Sequence, residues 1–82
     1  MRLPRDVSGR GLARLLEGFG YEIVRQTSSH IRLTKRAHAE HHLTIPDHPA
    51  LRVGTLAGVV ADLAAHHQLS RDQVLTRLFG KD

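Results

Sequence analysis

The sequence predicts an α+β domain of order α-β-β-β-α-α, a three-stranded antiparallel sheet with helices on one face. Apolar residues recur at helical spacing at Leu12, Leu15, Leu16 and Phe19, and again at Leu56, Val59, Val60, Leu63 and Ala64. Between these stripes, short segments alternate apolar and polar residues at the strand period of two, around Ile23, around Ile31 and Leu33, and around Leu43 and Ile45. At 82 residues without cysteine, the chain is one domain with no disulfide framework and no thiolate metal site. An antiparallel meander with its helices on one face is the economical packing. It leaves the other sheet face open to water or a partner.

Each element has local reasons. Residues 1–6 read as a loose leader, residues 7–67 as the core and residues 70–80 as an extra helix. Ser8 is the expected N-cap of a first helix over Gly9–Gly18, with Gly20 as its C′ residue. Gly9, Gly11 and Gly18 lower its intrinsic propensity, so packing must hold it. Tyr21–Gln26 and His30–Thr34 form a hairpin around the turn Thr27-Ser28-Ser29. A polar loop leads to a third strand, His41–Ile45, which Pro46 stops because proline cannot donate to the ladder. An extended loop, Asp47–Val53, carries its own apolar anchors. A long helix opens at Gly54 or Thr55 and runs to about His67. Ser70-Arg71-Asp72-Gln73 is a capping-box pattern that starts a last helix bearing Val74, Leu75, Leu78 and Phe79, closed by Gly80.

Composition narrows the function classes. Twelve Lys and Arg against eight acids give a formal net charge of +4, with a pI near 10.7. A basic domain of this size fits nucleic-acid binding by phosphate neutralisation, and it equally fits an ordinary solvated surface. Aromatics are 4% with no tryptophan, so stacking platforms for single strands are poorly supplied. The N-terminal residues lack an apolar signal core and no apolar run reaches spanning length, so the expectation is a cytoplasmic chain without membrane association.

The hairpin carries the chemistry. If Ile31 and Leu33 face a core, then His30, Arg32 and Thr34 project from the opposite, open face. An imidazole, a guanidinium and a hydroxyl on one surface suit a phosphodiester. RNA is cleaved without metal when a base takes the 2′-hydroxyl proton, an acid protonates the leaving 5′-oxygen and cations stabilise the phosphorane. Imidazole can do either proton transfer near neutral pH. Arg25, Arg32 and Lys35 are the nearby cations, and the face that Arg25 joins depends on the hairpin register. His42 on the neighbouring strand is a possible second acid–base group. His38, His41, His42 and His48 raise a metal-site reading. His38 is in a loop, however, and His41 and His42 project to opposite faces of a regular strand, so scattered surface histidines explain them better. His66 and His67 read as a surface pair near a helix C-terminus.

Three blocks resemble the HicA, or YcfA-like, family of bacterial toxins. They are Leu15-Leu16-Glu17-Gly18-Phe19-Gly20-Tyr21, then Val24-Arg25-Gln26 with Ser29-His30-Ile31-Arg32-Leu33, then Leu43-Thr44-Ile45-Pro46-Asp47-His48 with Leu51-Arg52-Val53-Gly54-Thr55-Leu56. Their order and spacing carry the resemblance over about residues 7–67. It implies a fold like a double-stranded-RNA-binding domain and a metal-independent endoribonuclease that cleaves mRNA as the toxin of a type II toxin–antitoxin pair. It implies a HicB-like antitoxin as partner and no cofactor. The essential histidine of the family's Gly-Ser-His motif falls on His30 and the motif serine on Ser29. Ser29, Arg25, Arg32 and Lys35 are then the expected RNA contacts. The motif glycine falls on Ser28, a departure that bears on activity rather than fold. Glycine in a turn often supplies a positive φ or a close backbone approach, although serine is itself a common turn residue. Two other function classes fit the same residues, a non-catalytic RNA-binding module and a pure interaction protein.

Overall fold

The computed structural model describes residues 2–37 and 39–80. His38, Met1 of the expected leader and the last two residues lie outside them. The elements are α1 (Gly9–Glu17), β1 (Glu22–Gln26), β2 (His30–Lys35), β3 (His41–Pro46), α2 (Val53–His67) and α3 (Arg71–Phe79). The strands form one antiparallel sheet in the order β1-β2-β3. Among the described residues the fold is thus α+β with three strands and three helices. The chain divides into two compact units, one of Asp6–Leu51 and one of residues 2–5 with 52–80.

In the first unit, α1 lies against all three strands. Ser8 caps it, its Oγ accepting from the Gly11 amide at 2.9 Å. The helix buries Gly9, Leu12, Ala13 and Leu16. Leu15, expected in the core, is instead 39% exposed. The buried stripe starts at Gly9 rather than Leu12, which rotates Leu15 to its edge. Gly9 is in the stripe because a Cβ there would overlap the Pro46 carbonyl oxygen. Its amide donates to His48 O at 2.9 Å, fixing the first turn of α1 at the end of β3. The helix ends one residue early, tightened by short-range bonds from Gly18 to Leu15 O and from Phe19 to Leu16 O. Gly20 then takes φ +99°, the left-handed conformation glycine favours.

The sheet departs from regular alternation in three places. Ile23 pairs with Leu33 and Arg25 with Arg32, so Val24 is an extra residue in β1, a bulge. Ile23, expected to be buried, is half-buried on this edge strand. Pro46 does not stop β3 but is its last residue, paired with His30. The next amide, Asp47 N, donates to Ser29 O at 2.9 Å. That makes His30–Pro46 a non-hydrogen-bonded pair, where no N–H is needed from position 46. Thr34, expected on the open face, is only 3% exposed. Its Oγ1 lies 2.8 Å from Nδ1 of its partner His42, and the imidazole covers it. Ile31, Leu33, Leu43, Ile45 and Leu51 are buried as expected. Tyr21, expected only as the first residue of β1, precedes that strand and is also buried, and its hydroxyl meets His41 Nδ1 at 2.6 Å.

In the second unit, α2 starts at Val53, which is 62% exposed and so not an anchor of the preceding loop. Leu56, Val59, Val60 and Leu63 are buried, and Ala64 is half-buried. Gln68, at φ 55°, ends the helix. The capping box of α3 is present in full. Ser70 Oγ accepts from Gln73 N at 3.1 Å, and Gln73 Oε1 accepts from Ser70 N at 2.8 Å. Val74, Leu75 and Leu78 are buried, and α3 packs on α2. Among the described residues, no helix is long and apolar enough to cross a membrane.

Candidate active site

The turn between β1 and β2 is built around Thr27. Its amide donates to His30 O at 2.9 Å, and its Oγ1 accepts from the amides of His30 at 3.1 Å and Ser29 at 3.3 Å. A threonine hydroxyl thus closes the two-residue loop where a backbone carbonyl ordinarily would. Sequence reading placed Thr27 in the turn without giving it this function; its preference for local side-chain-to-backbone bonds was the available signal. Ser28 is not among the residues with positive φ. The glycine-to-serine departure therefore strains no backbone here.

His30 opens β2 with its side chain exposed. Ser29 Oγ lies 3.0 Å from His30 Nδ1, leaving Nε2 as the open edge of the ring. Two residues on, Arg32 is exposed on the same face. The bulge at Val24 settles where Arg25 goes. Without it, Arg25 would share the face of Ile23; with it, Arg25 stands directly opposite Arg32. Thr44 flanks Arg32 from β3. The open face thus reads in cross-strand rows, first His30 and Pro46, then Arg25, Arg32 and Thr44, then Glu22, Thr34 and His42. Neither Arg25 nor Arg32 makes an ion pair among the described residues, so both guanidinium groups are free for a phosphate.

Ser29, His30, Arg25 and Arg32 are brought together, and Lys35 is not. It pairs with His41 on the opposite parity, its stem lies beside Gly20, and its Nζ donates to Ala37 O at 2.6 Å. His42 is four residues from the His30 row, about 13 Å along the strands, too far to share one phosphodiester. Behind the site, Asp47 binds Arg10 of α1 at 3.2 Å while its amide holds Ser29 O. The sheet end that carries His30 is therefore tied to the first turn of α1. Among the described residues, no group of three or more His, Cys, Asp or Glu side chains is placed to hold a metal ion.

A family described as the HicA toxin of bacterial toxin–antitoxin matches residues 9–64, from the first residue of α1 into α2. No curated protein and no solved structure matches. The matched span covers most of the sequence and includes the whole open face, and the chain belongs to the HicA toxin family of bacterial toxin–antitoxin systems.

Proposed function

We propose that the protein is a single-domain, metal-independent endoribonuclease that cleaves mRNA in the cytoplasm, with His30 as its acid–base residue. The supporting observation is an exposed imidazole, held at Nδ1 by Ser29, on the same sheet face as two guanidinium groups that make no ion pair among the described residues. In this reading Nε2 takes the proton of the 2′-hydroxyl. The 2′-oxygen attacks phosphorus, the bond from phosphorus to the 5′-oxygen breaks, and the proton is delivered to the leaving 5′-oxygen. A 2′,3′-cyclic phosphate and a 5′-hydroxyl result. Arg25 and Arg32 stabilise the charge of the phosphorane. Ser29 is a positioning residue, because it acts through the ring.

The antitoxin of such a pair has only to cover His30 or occupy the phosphate-binding face. We propose a HicB-like partner with an acidic contact surface, since this chain is basic. Incubation of purified protein with end-labelled mRNA tests the catalytic reading. His30→Ala should lower cleavage roughly 10²–10⁴-fold, the usual cost of removing an acid–base group, with the circular dichroism spectrum unchanged. Full cleavage by folded His30→Ala protein would rule the mechanism out. A wild-type protein that binds RNA without cutting it would instead be a binding module.

A further inference from the structure

His42 is held on both sides. Its Nδ1 lies 2.8 Å from Thr34 Oγ1 and its Nε2 lies 2.9 Å from Glu40 Oε2. Arg36 Nη1, at 4.0 Å, steadies the other oxygen of the same carboxylate. The arrangement has the hydroxyl–imidazole–carboxylate order of a nucleophile triad, but the Thr34 residue is only 3% exposed, so no substrate reaches its hydroxyl. Nor can the ring exchange a proton with a substrate or bind a metal, because both nitrogens are already engaged. What the ring still offers is its π-face, on a side chain 43% exposed. That face belongs to the same open sheet surface as His30, with the Arg25–Arg32–Thr44 row between them.

We propose that His42 is a nucleobase-stacking platform, a binding subsite about 13 Å along the sheet from His30 that takes an unstacked base of single-stranded RNA. The inference rests on RNA being the substrate. It supplies the stacking surface that the low aromatic content withholds. In this arrangement the ribose-phosphate chain crosses the two arginines while one base lies on a ring held by two hydrogen bonds. The two arginines between His30 and His42 suit the phosphates that carry successive bases, so a base is the occupant this geometry favours.

The test is fluorescence anisotropy with a short, mixed-sequence 2′-O-methyl oligoribonucleotide, which this chemistry cannot cleave, and an abasic oligomer of equal length. His42→Ala should weaken binding of the base-bearing strand by roughly 5–150-fold, the range lost with one base–aromatic stack. His42→Phe should keep near-wild-type affinity although it lacks both hydrogen bonds. The abasic strand should bind wild type and His42→Ala alike. Several outcomes would overturn the proposal. They are unchanged affinity in His42→Ala, failure of a folded His42→Phe to rescue, or equal sensitivity of the abasic strand, which would indicate a phosphate contact. Wild-type protein that binds neither strand would remove the RNA reading itself, a result distinct from failure of His42 alone.

Discussion

Ser29 and Thr27 act on His30 at different points. Thr27 fixes the backbone through the His30 amide and carbonyl, whereas Ser29 fixes the ring through Nδ1. Their losses should differ accordingly. Ser29→Ala should leave stability nearly unchanged and lower kcat by roughly 2–13-fold, the value of one net hydrogen bond expressed as a rate. Single-turnover cleavage measures it. Ser28 presents the opposite case. Since its φ is not positive, Ser28→Gly relieves nothing and frees the unfolded chain, costing about 0.4–1 kcal/mol. Urea denaturation should show that loss, with cleavage within a few-fold of wild type; a large gain in activity would show that the serine hinders the substrate directly.

At the scale of elements, the bulge and the glycine of α1 decide where the site stands. Gly9 has no room for a methyl group against Pro46. Gly9→Ala should cost about 1–3 kcal/mol by overpacking, read from the denaturation midpoint, and should also lower activity by moving the sheet end away from α1. Deleting Val24 should be tolerated, because removing the extra residue leaves Ile23 opposite Leu33 and Arg25 opposite Arg32 in strict alternation. These two features also mark how far the sequence could be read. The faces of His30, Arg32, Ile31 and Leu33 followed from period-two patterning, and the caps at Ser8 and Ser70 from local chemistry. Arg25 did not, since a bulge in an exposed strand leaves no trace in hydrophobic alternation. Pro46 was misplaced because its missing N–H matters only in a hydrogen-bonded pair, which register alone decides. Leu15 and Thr34 were misplaced because burial there depends on neighbours far away in sequence, Pro46 for α1 and His42 for Thr34.

For the molecule as a whole, the free cations of the sheet set the expected salt response. If each of Arg25 and Arg32 neutralises one phosphate, replacing either by alanine should flatten the plot of log affinity against log salt by about 0.7. Cleavage should survive EDTA, since the proposed proton transfers use no metal. Loss of activity that added magnesium restores would contradict it. The boundary at Leu51 also has a genetic consequence. Every residue assigned a part at His30, from Arg10 to Asp47, is encoded before it. The second unit contributes Leu56, Val60, Leu63, Val74 and Leu75, among the largest fully buried side chains. In a screen for cells that survive expression of the chain, stop codons beyond Leu51 should then be recovered with the whole His30 site still encoded. Such survivors would report the loss of that buried second unit, whereas missense survivors at His30, Arg25 or Arg32 would report lost chemistry.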